Sequence, residues 1–362
     1  MAPAGTGRTT RPRPTLEQVA ARAGVGRGTV SRVINGSPRV SDRTRAAVEA
    51  AVAELGYVPN GAARALAPGS ADAVALVVPE TETRLFAEPY FSGILRGVSA
   101  ELADRDMQLL LTLIRDEHER DRFAHYAAAH RVDGVLLVSV HADDPLPDLL
   151  REVGMPAVLN GRRSADEPVP YVDSDNLGGA RLAVEHLVAR GRRAIATITG
   201  PQDMYVAQCR LEGYRSALRA AGRDDDERLV VHGDFTEEGG HRAMRELLSR
   251  GPAVDAVFCA SDVLAAGARL ALREAGRSVP EDVALVGFDD SAVARHMDPP
   301  LTTVRQPIEE MGRAMARTLL GLMAQEREGA APGARPPHRA AGAAGDPARL
   351  VLPTELVRRG SS

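Results

Sequence analysis

The 362 residues carry a formal net charge of −4; this length exceeds one typical domain, so two or three folded units with a sizeable core are expected. The sum hides an asymmetry: residues 1–69 hold ten Arg against Glu17, Asp42, Glu49 and Glu54, a surplus of +6 that leaves −10 on the rest. A polyanionic partner is therefore expected for the head alone. Two cysteines, Cys209 and Cys259, are too few for a disulfide framework, and no leader-like or span-length apolar run is present; the expectation is a soluble, cytoplasmic protein with reduced thiols.

Residues 1–14 are Pro, Gly, Thr and Arg without periodicity and read as a disordered arm. From Thr15 to Asn35 two short helices are predicted. Leu16, Val19, Ala20 and Ala23 form an i, i+3, i+4, i+7 stripe that Gly24 stops. In the second, Val30, Val33 and Ile34 point inward while Gly28, Ser31, Arg32 and Asn35 share the opposite face. That division suits a helix-turn-helix, whose second helix is held from behind while its outer face enters the major groove. Ser41 caps a third helix with Val48, Ala51, Val52 and Leu55 inward, and Gly56 ends it. Asn60 could cap a further helix to Leu66, too short to be stable alone, so residues 59–70 read as a hinge that orders on binding.

From Val74 onward, short apolar runs alternate with helical stretches. The runs are 73–78, 108–113, 134–140, 157–159, 195–198, 229–231, 256–259 and 283–286, with helices such as 91–105, 177–190, 237–249 and 264–275 between them. Strands apolar throughout and separated by helices indicate parallel sheets covered on both faces, and this many units suggests two halves with a cleft. The segment 324–347, rich in Ala, Gly and Pro, reads as a flexible insertion, followed by a closing strand pair at 349–352 and 355–357.

No catalytic pattern stands up. The glycines at 24, 26 and 28 follow a helix where a dinucleotide-binding loop needs a strand. His118, His125 and His130 lack metal-ligand spacing, Ser139 and His141 sit in no nucleophile elbow, and no P-loop is present. Neither an enzyme nor a cofactor is expected.

The head TLEQVAARAGVGRGTVSRVINGSPRVSDRTRAAVEAAVAELGYVPNGAARAL resembles the lactose/galactose repressor (LacI/GalR) family of bacterial transcriptional regulators. The body is similar too, in VDSDNLGGARLAVEHLVARGRR, RLEGYRSAL, VPEDVALVGFDD, PPLTTVRQP and VLPTELVRR. The resemblance implies an α/β protein: a three-helix head (15–58), a hinge helix and linker (59–70), and a periplasmic-binding-protein-like body (71–362) of two doubly wound sub-domains. These would span about 71–172 with 303–323, and about 173–302 with 348–360. It implies a homodimer on double-stranded palindromic operator DNA, controlled by a small molecule. Arg27 and Gly28 open the reading helix, with Arg able to engage guanine bidentately; Thr29 and Ser31 would meet phosphates. Arg32 would meet either bases or backbone. Gly26 stands where a capping Ser is common, and Gly28 offers no side chain. Leu66 would enter the minor groove, with Asn60, Ala63 and Arg64 beside it. In the body, Tyr90, Phe91 and Phe235 would stack on a ligand, while Arg210, Asp289 and Asn160 would hydrogen-bond it. Asp262 would either line the cleft or cap the next helix, and Arg210 and Asp289 could instead pair with each other. Asp175 and Asn176 are read as helix caps. A sugar is the expected effector; a purine or nucleoside suits the same groups. A sugar-binding protein without a DNA function is the remaining alternative.

Overall fold

A computed structural model describes residues 14–34, 37, 39–57, 71–251, 253–329 and 348–362. They belong to two compact units that divide at Ala71/Asp72. Among the described residues, no helix is long and apolar enough to cross a membrane.

In the first unit, α1 (Leu16–Ala23) begins with a capping box: the Gln18 amide donates to Thr15 Oγ1, and the Gln18 side chain accepts from the Thr15 amide at 2.9 Å. It ends at Gly24, whose φ of 65° costs a glycine nothing. Next come α2 (Arg27–Ile34) and α3 (Asp42–Leu55), the latter capped by Ser41 and closed by left-handed Gly56. The predicted stripes meet: Val19, Val30, Val48, Val33, Ala51 and Tyr57 form one buried core. The expected arm, apart from Pro14, and the whole of the hinge (59–70) lie outside the described residues.

The second unit is α/β. Its first lobe takes β1 (Ala73–Val78), α4 (Glu82–Ala87), α5 (Pro89–Ala103), β2 (Gln108–Leu113), α6 (Glu117–Ala128), β3 (Gly134–Leu137), α7 (Leu146–Glu152), β4 (Ala157–Asn160) and β5 (Tyr171–Ser174). The second lobe takes α8 (Asn176–Ala189), β6 (Ile195–Thr199), α9 (Tyr205–Ala220), β7 (Val230–His232), α10 (Glu237–Ser249), β8 (Ala256–Cys259), α11 (Asp262–Glu274), β9 (Ala284–Asp289), α12 (Ala292–His296) and β10 (Thr302–Arg305). Then α13 (Ile308–Gly329) returns to the first sheet, β11 (Arg349–Leu352) joins it, and β12 (Glu355–Val357) joins the second. The orders are β11-β5-β4-β3-β1-β2 and β12-β10-β9-β8-β6-β7. Every pairing is parallel except β10 with β12. The central strands of each sheet are buried on both faces, which is why AVALVV in β1 needs no alternation, whereas the apolar edge strand β2 is exposed or half-buried.

Four expectations change. The two closing strands do not pair with each other; each extends a different sheet, because the chain crosses between lobes at Pro353–Thr354. So 349–352 belongs to the first lobe, and 303–305 to the second. The short strands β5 and β10, with Asp173, Thr302 and Thr303 in them, escape a search for apolar runs. Finally, 324–329 is not insertion but the last turns of α13; the rest of that segment, 330–347, lies outside the described residues.

The three crossings bind one another. Ser174 Oγ donates to Gln306 Oε1 at 2.5 Å, and the Asp175 amide donates to the Leu352 carbonyl at 2.9 Å. Above the first sheet, α5 and α13 approach so closely that a Cβ at Gly97 would run into the Glu309 carbonyl, and one at Gly312 into that of Ile94.

Candidate functional site

On the head, α2 keeps Val30 and Val33 buried and leaves Arg27, Gly28 and Arg32 exposed, with Thr29 and Ser31 half-buried. Gly26 offers only backbone at the helix entrance: its carbonyl accepts from the amides of Thr29 and Val30. The missing side chain at Gly28 leaves room for Arg32, whose guanidinium lies 4.0 Å from where a Cβ would stand. Arg27 pairs with Glu17 at 2.9 Å, both exposed. Asn35, Asn60, Ala63, Arg64 and Leu66 lie outside the described residues.

Between the lobes, at the carboxyl ends of both sheets, lies a cleft lined by residues of both lobes. Ligands bind at this place in doubly wound folds. Tyr90, Phe91, Asn160, Arg210, Phe235 and Asp289 all line it. Asn160 is buried; its Oδ1 accepts from Tyr90 Oη at 2.6 Å, and its Nδ2 has no partner. An unpaired buried donor facing a cleft is costly unless a ligand or water meets it. Phe91 stands edge-on to Tyr90 at 5.9 Å and also belongs to the first lobe's core.

Arg210 is the most constrained group. Its Nε donates to Asn176 Oδ1 at 2.8 Å, one terminal nitrogen donates to the Ala260 carbonyl at 2.5 Å, and its plane covers Phe288 at 3.8 Å. Asp289 lies 3.9 Å away, an ion pair without a hydrogen bond, so the two are not a closed bridge. Asp289, at φ 115°, accepts instead from Gln306 Nε2 at 2.6 Å. Burial pushes the Asp289 carboxyl up to about 6, against the pull of Arg210 and Gln306. Phe235, at φ 62°, is covered by Gly200, where a Cβ would strike the ring, and has the Arg84 and Arg210 guanidiniums at 5.6 and 5.9 Å. Its faces are thus less open than an isolated loop aromatic would suggest.

Two expectations are corrected. Asp262 is fully buried and does not line the cleft, and Ser261 caps α11. As the helix's first residue, Asp262 turns its carboxylate back into the sheet, accepting from Thr303 Oγ1 at 2.5 Å and the Ser291 amide at 2.7 Å. Asp175 does cap α8, but Asn176 lines the cleft and holds Arg210.

The sequence reading also missed Arg84, Glu88, Arg162, Asp173 and Gln306, all of which line the cleft. Arg162 follows β4, Asp173 lies in β5, and Gln306 follows β10; the strand-end rule would have named the last two had those strands been recognised. Arg162 donates to Asp173 at 3.0 Å and lies 5.1 Å from both the Tyr171 and Tyr205 rings. Burial pushes the Glu88 carboxyl up to about 8, opposed chiefly by Arg84. Three guanidiniums (Arg84, Arg162, Arg210) thus face three carboxyls (Glu88, Asp173, Asp289). Among the described residues, no group of His, Cys, Asp and Glu is arranged to hold a metal; Cys209 and Cys259 are free thiols.

Comparison with known proteins is decisive. Residues 15–60 match the bacterial regulatory proteins of the lacI family, and residues 184–362 match the periplasmic binding protein-like domain. The transcriptional regulator CelR of Thermobifida fusca is 54% identical over 353 residues, covering 97% of this chain and 99% of its own. The chain belongs to the LacI family. The ribose operon repressor of Escherichia coli strain K12 is another member similar to this LacI-family chain, 36% identical over 86% of this chain and 93% of its own. A solved CelR–cellobiose complex has a TM-score of 0.74 at 52% identity, covering 97% of this chain and 100% of that one. The lac repressor dimer bound to operator and an anti-inducer has a TM-score of 0.80 at 28% identity, covering 97% and 99%. The LacI family is one of DNA-binding transcriptional regulators, not enzymes, and the fold is theirs.

Proposed function

We propose that this chain is a cytoplasmic repressor that binds a palindromic operator as a homodimer and responds to a neutral disaccharide, with cellobiose the first to test. The observation that carries the effector reading is a cleft lined by three guanidiniums and three carboxyls. Such a lining offers hydrogen bonds of both kinds, as donor and as acceptor, to a ligand made of hydroxyl groups. The CelR–cellobiose complex supports the same reading. Tyr90, Phe91, Asn160, Arg210, Phe235 and Asp289 would contact the sugar.

In the head (15–58), Arg27 and Arg32 would carry the major-groove reading and Thr29, Ser31 and Asn35 the positioning contacts. In the hinge (59–70), Leu66 would enter the minor groove with Asn60 and Ala63 alongside. A sugar that alters the relation of the lobes would order or melt the hinge, a coupling typically worth about 1 to 3 kcal/mol. Selection from random DNA followed by calorimetry with cellobiose, glucose and adenosine tests the whole. A palindrome should be enriched, and cellobiose should bind tighter than the other two. Preferred binding of adenosine would replace the sugar by a nucleoside; no enriched palindrome would remove the operator reading.

A further inference from the structure

Outside the cleft, at its rim, the lobes touch through the segment that starts α9. The Ala142 amide of the first lobe donates to the Asp203 carbonyl of the second at 2.8 Å, and His141 Nδ1 lies 2.7 Å from Asp203 Oδ2. Beside them, Arg162 covers Tyr205, and a Cβ on Gly161 would meet Val206 at 3.4 Å. Behind His141, Glu80 lies 3.7 Å from Nε2 and accepts from Ser139 Oγ at 2.6 Å and from Arg84 at 2.5 Å. Arg84 lines the cleft, whereas neither His141 nor Asp203 does.

We propose that His141 and Asp203 form a rim clasp that holds the two lobes together and so sets how tightly the cleft retains its ligand, without either residue touching that ligand. A protein whose binding-competent form is fractionally populated binds more weakly by that fraction. A contact made only in the closed form raises the fraction, and the Glu80–Arg84 link joins the clasp to the cleft lining. With Glu80 on one ring nitrogen and Asp203 on the other, the imidazole is pushed up to about 9. The other charged groups facing it line the same depression: Arg115, Arg120, Asp143 and Asp144. Since the pKa is raised in the clasped form, the charge-assisted part of the clasp is complete below the ordinary histidine range of about 6.5. It is lost as pH rises through about 9.

The test separates the clasp from the choice of ligand, on which only its second half rests. Hydrogen exchange at the Ala142 amide of the full-length, ligand-free protein reports rim opening, and β3 serves as the folding control. In Asp203→Asn and His141→Gln, exchange at Ala142 should rise while β3 stays protected; unchanged exchange overturns the clasp whatever the ligand is. Calorimetry with cellobiose should then show each single substitution weakening binding roughly three- to tenfold, and the double no more than the weaker single. In Glu88→Gln, which removes the cleft's own titration in this range, affinity should fall between pH 7 and 9.5, and adding Asp203→Asn should remove most of that dependence. Additive losses or unaltered affinity in the variants would overturn the link from clasp to ligand. Cellobiose failing to bind wild type would overturn the effector proposal, leaving the exchange result to decide the clasp.

Discussion

Asn176 Oδ1 accepts the Nε proton of Arg210 at 2.8 Å, and the Asn176 amide in turn donates to Asp173 at 2.8 Å. A guanidinium of the second lobe is thereby anchored, through two side chains, to a strand of the first. Replacing Asn176 with Leu leaves Arg210 Nε and Asp173 each short of a buried partner, at about 1 to 3 kcal/mol per group. Effector affinity should fall at least tenfold by calorimetry while the fold, read by circular dichroism, persists. An affinity within twofold of wild type would show that Arg210 is held in place by Ala260 and Phe288 alone.

Glu17 restrains Arg27 on the exposed face of the head. Glu17→Gln should tighten operator binding a few-fold, because Arg27 is released and a negative charge is removed beside the phosphates. Arg27→Ala should relax preference at one base pair of each half-site, at about 1 to 3 kcal/mol. Binding that weakens equally on all sequences would make Arg27 a phosphate contact.

Glu88 gives a stability prediction with a definite sign. Its carboxyl is pushed from the ordinary glutamate range up to about 8 by burial. The folded form therefore binds more protons than the unfolded one between about 4.5 and 8, and stability falls as pH rises through that window. Glu88→Gln removes the ionisation, so its melting temperature should exceed that of wild type near pH 8.5 and approach it near pH 4.5. A gap independent of pH would assign the effect to packing.

The α5–α13 seam has no room for a methyl group at Gly97 or Gly312. Overpacking of a close helix pair typically costs about 1 to 3 kcal/mol. Gly312→Ala should lower the melting temperature by several degrees, whereas Gly321→Ala, on the same helix with open space around it, should not. Equal shifts would mean that the seam relaxes freely.

Much of this was readable in the chain itself. The spacing of Val19, Val30 and Val48 marked the head core, and runs such as Ala73–Val78 marked strands buried on both faces. What escaped notice escaped for physical reasons. β5 and β10 are four residues each and polar, because strands that end at a cleft carry its chemistry (Asp173) or bond to neighbouring side chains (Thr303). Asp262 looked like a cleft residue because one carboxylate after a strand resembles another. Only three dimensions show that it turns inward toward Thr303. Arg84 sits in α4, a short helix that no apolar stripe announced, and Glu88 joins it to α5; their ion pairing is local, so nothing in their spacing pointed at the second lobe.

The proposed coupling joins operator binding to a disaccharide-filled cleft in one chain. It is tested most directly by titrating cellobiose into the full-length protein bound to its selected palindrome, with Asp289→Ala as the control, and following the DNA-bound fraction. Saturating cellobiose should change operator affinity by roughly 5- to 150-fold, a change that Asp289→Ala abolishes while its sugar-free operator affinity stays intact. An operator affinity unmoved by saturating cellobiose, or moved equally in Asp289→Ala, would contradict it.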